Sequence, residues 1–199
     1  MQEPSWLPEE DQARVGIYTL LARLLAAPAD QVQLTELAEL DLGQTPVGQV
    51  AVALSMLKLA ARQARESEVD DEFHTLFIGI GRGELVPFGS WYQTGYLMER
   101  PLSELRQDLI RFGFEREPGN PDPEDHVAFL CEVMALMVSS REIPEAAQQQ
   151  FFKAHVATWM PAFFRDLENC ESACFYKAVG RLGTVFLALE KSFQDTSER

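Results

Sequence analysis

The polar stretch that leads to His126 holds the residues whose types and spacing could do chemistry. Residues 120–126 read Asn-Pro-Asp-Pro-Glu-Asp-His and precede an apolar helical run. A short polar side chain, a first-turn proline and first-turn acids are typical of a helix N-terminus. We therefore predict that Asp122 caps the helix and that Asp125 completes a capping box. Asp125 and His126 could also offer hydrogen bonds to a ligand.

His126 itself lies on or beside an apolar stripe. Leu130, Met134 and Met137 follow it at helical spacing, which places the imidazole at the edge of the predicted core. An imidazole that is buried near a helix N-terminus is expected to be neutral. Two interpretations stay open: a histidine at the core edge that is bonded to the backbone, or a polar contact in a binding loop.

A glycine-rich segment suggests phosphate binding. Residues 79–87 read Gly-Ile-Gly-Arg-Gly-Glu-Leu-Val-Pro, but the segment lacks the Lys-Ser/Thr ending of a P-loop and does not follow a strand. A nucleotide-binding or hydrolysing enzyme that uses residues 79–83 is therefore an alternative and not the preferred interpretation. The aromatic residues that follow could form core or a wall that contacts a peptide: Phe88, Trp91, Tyr92 and Tyr96.

The remaining residues suggest no catalytic set and no metal site. Ser90 lies in Gly-Ser-Trp and not in a Gly-x-Ser-x-Gly elbow, and nothing in the sequence assigns it a base. Cys170 and Cys174 are spaced to lie one turn apart on a helix, which matches none of the close-spaced zinc patterns. We expect reduced thiols, no metal, no cofactor and no enzymatic activity.

The acidic balance of the chain excludes whole classes of partner. Its 199 residues carry 31 Asp and Glu against 17 Lys and Arg, a formal net charge of −14. Such a surface repels nucleic acid and anionic lipid and favours basic ligands. The sequence shows neither a secretory leader nor an apolar run of the roughly 18 residues that a membrane span needs. We expect a cytoplasmic protein that does not insert into membranes.

The elements that must position these residues are all helical. Apolar spacing, caps and prolines predict helices over 9–27, after Asp30, from Pro46 to about 65, over 68–77, from Pro101 to Phe112, from Asp122, from Pro144 with an interruption at Pro161, and over 172–193. No segment alternates as a strand would.

These helices are predicted to form one all-α domain, a helical bundle over residues 1–199. Its two halves span 9–112 and 122–193, and residues 194–199 form a polar tail. A loop near 113–121 joins the halves as a hinge, which would permit helix swapping into a homodimer.

Three segments together carry a family resemblance. Residues 73–81, Phe-His-Thr-Leu-Phe-Ile-Gly-Ile-Gly, and 87–92, Pro-Phe-Gly-Ser-Trp-Tyr, look like Leu-Phe-x-Gly-x-Gly and Pro-x-x-Ser-x-Tyr motifs. Glu-Asp-His at 124–126 is similar to a Glu-x-Asp-His signature. A Phe-x3-His-x3-Trp-x3-Phe series follows: Phe151, His155, Trp159 and Phe163. In this order the segments resemble the TorD/DmsD family of redox-enzyme maturation chaperones, which includes the NarJ-like proteins.

The resemblance implies a bundle of the TorD-like type and a dedicated chaperone. Such a chaperone binds the precursor of a molybdopterin oxidoreductase, through its twin-arginine leader or its apo catalytic subunit, until cofactor insertion is complete. The matching positions imply the client contacts, which are Phe88, Trp91 and Tyr92 as apolar groups and Glu124, Asp125 and His126 as polar ones. A helical adaptor without client specificity is the further alternative.

Overall fold

The structure is a computed structural model that describes residues 7–42, 48–79, 83–115 and 122–197, with side chains through residue 193. Ten α-helices and no strand lie within these ranges. The helices are α1 (Glu9–Ala26), α2 (Gln31–Ala38), α3 (Gln49–Gln63), α4 (Glu66–Phe73), α5 (Gly89–Thr94), α6 (Arg100–Arg111), α7 (Val127–Ser139), α8 (Glu145–Phe151), α9 (Met160–Asn169) and α10 (Phe175–Ser197). The all-α prediction is confirmed. No helix of the described ranges is long and apolar enough to cross a membrane.

Two helices end in a wider turn. The chain continues α4 as a π-helical turn, His74–Ile78, and continues α8 as another, Phe152–Val156. Single π turns inside helices are frequent at functional sites. The second turn carries His155, the histidine of the Phe-x3-His-x3-Trp series.

The helices form two compact units, each assembled from two stretches of chain. The first unit contains Met1–Ala26 and Phe88–Trp159, and the second contains Ala27–Pro87 and Met160–Arg199. This division differs from the halves predicted at 9–112 and 122–193, because α1 packs against α7 while α10 packs against α3 and α9. The predicted hinge includes residues 116–121, which lie outside the described ranges.

The core of the first unit is centred on α7. Nine of its side chains are buried, among them the predicted inward stripe of Leu130, Met134 and Met137. A helix that is apolar on nearly every face must be enclosed by other elements. The opposing face of α1 buries five residues, which include Tyr18 and Leu21.

The second unit is built around α10. Two glycines let α9 approach closely: a Cβ at Gly180 would lie 2.5 Å from the backbone nitrogen of Glu168, and one at Gly183 would overlap the Phe164 ring. Apart from these contacts, α10 contributes Tyr176, Val179, Leu182 and Phe186 to the core. Small residues at these two positions are therefore a packing requirement of the unit.

A carboxylate from α4 caps α10. The Oε1 atom of Glu72 accepts hydrogen bonds from the backbone N–H groups of Cys174 and Tyr176, both at 2.8 Å, and Oε2 accepts one from Phe175 at 3.0 Å. These are three of the amides that the first turn of a helix leaves without an internal partner. An acid at this end also opposes the positive pole of the helix dipole.

Several helix boundaries differ from the predicted ones. Cys170 and Cys174 lie in the connection between α9 and α10 and not on a helix, because Glu72 holds the start of α10 at Phe175. All three cysteines are free, with Cys131 buried and Cys174 exposed. The helical run from Pro144 ends at Val156, so the interruption predicted at Pro161 falls at residues 157–159, and Pro161 itself occupies the first turn of α9, where a proline is tolerated.

Two further predicted helix boundaries are confirmed, at Asp30 and Gly113. Two other predictions concern residues at the end of α10 and outside the described ranges. Asp30 caps α2 through a capping box with Gln33, and Gly113 ends α6 with φ 74°. The backbone of α10 continues through residues 194–197, where a polar tail was predicted. Pro46 lies outside the described residues.

We predict that Glu72→Ala lowers the free energy of unfolding by about 1–3 kcal/mol, because three helix-terminal amides lose a charged acceptor. Urea unfolding followed by far-UV circular dichroism measures the change. Glu171→Ala, which removes an exposed acid from the adjoining connection, is the matched control and should change stability by less than about 0.5 kcal/mol. Equal effects of the two substitutions would contradict the capping role.

Candidate functional site

A buried carboxylate joins α5 to the segment that precedes α7. Asp125 is 3% exposed, and its Oδ2 atom accepts hydrogen bonds from the Ser90 backbone N–H at 2.6 Å and from the Ser90 hydroxyl. The Asp125 carbonyl accepts a third bond from the Gly89 N–H at 2.8 Å. We call this arrangement of Gly89, Ser90 and Asp125 the Ser90–Asp125 lock. It fixes α5 in the first unit through both main-chain and side-chain atoms.

Trp159 closes the lock from one side. A Cβ at Gly89 would lie 2.9 Å from the indole nitrogen of Trp159 and 3.5 Å from Cβ of Asp125, so only glycine fits there. The same indole nitrogen donates a hydrogen bond to the His155 carbonyl at 2.8 Å, which satisfies a buried polar group. The Trp of the Phe-x3-His-x3-Trp series thus packs against the Gly-Ser of the Pro-x-x-Ser-x-Tyr motif.

One carboxylate oxygen of the lock remains without a protein partner. Oδ1 of Asp125 is buried and makes no hydrogen bond within the described residues. A buried acceptor without a donor is costly, so such an atom marks a position where a donor from water or from a ligand would be stabilised.

His126 begins α7 as its N-cap. Its Nδ1 atom accepts a hydrogen bond from the Ala128 backbone N–H at 3.2 Å, which requires that nitrogen to be unprotonated. Burial lowers the pKa of His126 below its ordinary value, and the nearby charges of Asp122 and Asp125 oppose this shift. The expectation of a neutral imidazole at the core edge agrees with this direction.

The predicted cap at Asp122 is wrong. The helix begins at Val127 and not at Asp122, so Glu124 and Asp125 precede it instead of filling its first turn. The physical reason is that Ser90 binds the Asp125 carboxylate from another helix, which takes the acid away from a local capping role.

Glu124 serves as a tie to α6. Its Oε2 atom lies 2.7 Å from Nη2 and 2.9 Å from Nε of Arg106, a paired contact that raises the pKa of the arginine. A second tie from α6 runs from Oδ2 of Asp108 to Nε2 of His155, at 2.7 Å. Both ties hold α6 beside the elements that form the lock.

The three predicted aromatic contacts are half-buried. Phe88 lies edge to face with His126, with ring centroids 5.0 Å apart, and the two residues form an isolated antiparallel β-bridge. The Tyr92 ring lies 5.6 Å from the Trp159 ring. Trp91 precedes Tyr92 on α5 and is also half-buried. Each of these side chains keeps part of its surface exposed, as an apolar contact must.

The structure therefore brings all six predicted site residues into one unit but gives them different surroundings. Phe88, Trp91, Tyr92 and His126 retain exposed surface, whereas Asp125 is enclosed. Client contact by these residues remains a prediction.

Sequence reasoning missed the part played by Ser90. It weighed the serine only as a nucleophile. The serine belongs to the Pro-x-x-Ser-x-Tyr motif and the aspartate to the Glu-x-Asp-His motif, and each is a defining polar residue of its motif. Polar residues that recur in two motifs of one chain are candidates for a mutual hydrogen bond, and that signal was present.

The glycine-rich segment does not have the features of a phosphate site where it is described. Residues 80–82 lie outside the described ranges. Beyond them, the Glu84 and Leu85 amides donate to the carbonyls of Thr75 and Leu76, at 3.3 and 2.8 Å. The Glu84 carboxylate accepts hydrogen bonds from the Cys170 thiol and the Ser172 hydroxyl, which lower its pKa. Amides already engaged and an ionised acid both disfavour phosphate.

Metal binding also finds no support in the described ranges. No group of three or more His, Cys, Asp and Glu residues there is placed to hold an ion.

Comparison with solved structures defines the class of fold. A protein from Archaeoglobus fulgidus assigned to redox enzyme maturation superposes with a TM-score of 0.60, covering 94% of this chain and 99% of its own at 14% identity. This chain therefore has the all-α fold of that protein.

Comparison with sequences then gives the family. The family model described as nitrate reductase delta subunit matches residues 44–165, more than half of the chain. Chaperone protein TorD of Vibrio cholerae is 29% identical over 148 residues, 69% of this chain and 67% of that protein. Chaperone protein TorD of Aliivibrio fischeri is 25% identical over 204 residues, 92% of this chain and 95% of that protein. The chain belongs to the nitrate reductase delta subunit family, and the two relatives named above are chaperones.

We predict that Ser90→Ala lowers the free energy of unfolding by about 1–3 kcal/mol. The substitution removes the hydroxyl, so the buried Asp125 carboxylate keeps the backbone N–H of residue 90 but loses the second of its two hydrogen-bond donors. Thermal and urea unfolding measure the effect. Ser103→Ala, at an exposed position of α6, should be nearly neutral. A Ser90→Ala variant as stable as the Ser103→Ala variant would show that the lock does not stabilise the unit.

We also predict a pH dependence that belongs to His126. Its pKa is lower in the folded protein than in the unfolded chain, so the unfolded chain binds the proton more tightly. The free energy of unfolding should therefore decrease as the pH falls from about 7.5 through the ordinary histidine value of about 6.5.

His126→Asn isolates this contribution, because asparagine keeps an N-cap acceptor and does not titrate. The loss of stability between pH 7.5 and 5.5 in urea unfolding should be smaller in the variant than in the wild type. Identical losses would exclude a lowered pKa at His126.

Proposed function

We propose that this chain is a cytoplasmic chaperone for one molybdopterin oxidoreductase. It binds the precursor of the catalytic subunit, through the twin-arginine leader or the apo subunit, and assists cofactor insertion before export or assembly. Family membership and the chaperone names of the relatives support the maturation role. The observation that carries the client site is the half-exposed aromatic group of Phe88, Trp91 and Tyr92, held in place by the Ser90–Asp125 lock.

The charge of the chain fits such a client. A twin-arginine leader joins a basic segment to an apolar segment, so its receptor needs acidic surroundings beside an apolar surface. A net charge of −14 supplies the first requirement, and the aromatic group supplies the second. Electrostatic attraction speeds the encounter without demanding very tight binding, which suits a chaperone that must release its client.

Asp125 has a positioning role in this proposal. Its carboxylate is buried and engaged by Ser90, so its first effect on a client is to hold α5 and Phe88 where they can make contact. The buried Oδ1 atom is the one polar atom of the lock that a donor group of the client could satisfy. His126 completes the surface from the α7 side, with its ring against Phe88.

The test of this function is a pull-down of the tagged chain from its native cytoplasm under anaerobic growth, with bound proteins identified by mass spectrometry. The tag on an unrelated carrier controls for non-specific capture. A single large oxidoreductase precursor, with its leader intact, is the expected result. Recovery of only the proteins that the carrier also captures would overturn the proposal.

The aromatic surface is tested with the client that the pull-down identifies. The double substitution Trp91→Ala/Tyr92→Ala should weaken binding of that precursor by roughly 30-fold or more, because aromatic hot spots contribute about 2 kcal/mol. Phe112→Ala removes a half-buried aromatic from the end of α6 and is the matched control. Equal dissociation constants for the two variants, by isothermal titration calorimetry, would place the client elsewhere.

A further inference from the structure

Three consecutive apolar side chains are exposed between α5 and α6. Tyr96 is 69% exposed, Leu97 is 48% and Met98 is 70%. We call these residues the 96–98 segment. Isolated exposed apolar residues are ordinary on protein surfaces, but a run of three is costly to solubility unless it has a function. Tyrosine and methionine are also among the residues enriched where proteins meet.

The 96–98 segment is held in one conformation by its neighbours. The Thr94 hydroxyl donates to the Ser90 carbonyl at 2.8 Å, and it accepts from the Tyr96 backbone N–H at 3.2 Å. Gly95, with φ 82°, turns the chain out of α5. The segment is therefore anchored to the residue at the centre of the lock, and its apolar side chains are presented rather than collapsed onto the unit.

Met98 adds backbone strain to this presentation. Its φ of 59° is the single positive value at a non-glycine residue in the described ranges. A bulky side chain in the left-handed region is disfavoured, and such strain clusters at functional sites. A loop with no function at this position would relieve the strain with glycine or asparagine, so a long apolar side chain here is retained at a cost.

The charge of the chain decides among the possible occupants. A membrane surface carries anionic lipid and is repelled by a protein of net charge −14, and a second copy of this chain carries the same charge. A polypeptide segment that is apolar and flanked by basic residues is attracted in two ways: its apolar part packs on the exposed side chains, and its basic residues are attracted by the negative charge of the chain. Charged residues that begin α6 border the segment, as polar rims border apolar contacts: Glu99, Arg100 and Glu104.

From these observations we infer that the 96–98 segment is a second client contact, which binds an apolar polypeptide stretch flanked by basic residues. It extends the surface of Trp91 and Tyr92 beyond the end of α5. The inference rests on the proposed function, and it adds that the client interface includes a presented, strained loop in addition to the aromatic group beside the lock.

The first experiment measures binding of a defined peptide. The probe is a fluorescein-labelled 24-residue peptide with two arginines followed by alternating leucine and alanine, and a version with serine in place of leucine is its control. The variant Tyr96→Ser/Leu97→Ser/Met98→Ser should bind the leucine peptide at least tenfold more weakly than the wild type, with an unchanged melting temperature.

The matched control variant lies in the other unit. Val52→Ser/Met56→Ser/Leu59→Ser removes three exposed apolar side chains from α3 and should bind the leucine peptide as the wild type does. Equal binding of the wild type and the 96–98 variant, or of the leucine and serine peptides, would overturn the inference.

Met98→Gly separates contact from conformation, because glycine accepts the left-handed backbone without the side chain. We expect weaker peptide binding and a melting temperature that is unchanged or higher. A lower melting temperature with unchanged binding would mean that Met98 only stabilises the loop, and the inference would fail.

The second experiment is a photo-crosslink in cells. A benzoylphenylalanine residue replaces Tyr96, and Val52 receives the same replacement as the control. An adduct at position 96 with the precursor recovered in the pull-down, joined through one of its apolar stretches, is the expected result. An adduct between two copies of the chain, or no adduct while the precursor still co-purifies, would overturn the inference and leave the proposed function standing. Failure of the pull-down itself would instead remove the proposed function, while the peptide arm would still decide what the segment binds.

Discussion

The hydrogen bonds that Ser90 gives to Asp125 are the constraint on which the position of α5 and the proposed client surface depend. A carboxylate that is withdrawn from water must find donors, and here the donors come from a helix that lies 35 residues earlier in the chain. The requirement works in both directions, because satisfying the acid also fixes the helix that carries the donors. This contact fixes the positions of Phe88, Trp91 and Tyr92. It also fixes how the His126 ring packs against Phe88.

The same use of acids recurs in the second unit, where Glu72 binds the first amides of α10 and Glu84 binds a thiol and a hydroxyl of the connection before it. The acids that give the chain its net charge of −14 therefore do not all serve as solvated surface groups. Some of the acids are structural acceptors that hold helix ends and connections, whereas the rest set the electrostatic field that a basic client would meet. Neutralising substitutions should be interpreted with this difference in mind, since a change at Glu72 acts on stability and a change at an exposed acid acts on encounter.

Features with a local cause were predictable from the sequence, and features with a tertiary cause were not. The caps at Asp30 and Gly113 follow from side chains within a few residues of the helix ends, and the apolar stripe of α7 follows from its period. The cap expected at Asp122 failed because Ser90 competes for the Asp125 carboxylate from a distant position, which no local pattern contains. Cys170 and Cys174 have helical spacing, but Glu72 decides where α10 begins. Pro161 is compatible with both a helix break and a helix start, so its residue type alone could not distinguish them. The family resemblance selected the six candidate site residues, but only the structure places Phe88, Trp91 and Tyr92 in the same unit as Glu124, Asp125 and His126.

The interleaving of the two units has a consequence for synthesis on the ribosome. The chain leaves the second unit at Pro87 and returns to it only at Met160, so α3 and α4 emerge long before α10, which packs against both of them. During that interval α3, which buries Val50, Leu54 and Leu57, has α2 as a partner but still lacks α10. The first unit, by contrast, has all of its helices once Trp159 has been translated. The nascent chain is therefore expected to complete the first unit, which carries the proposed client surface, before the second, and to need protection at α3 until its last helix is made.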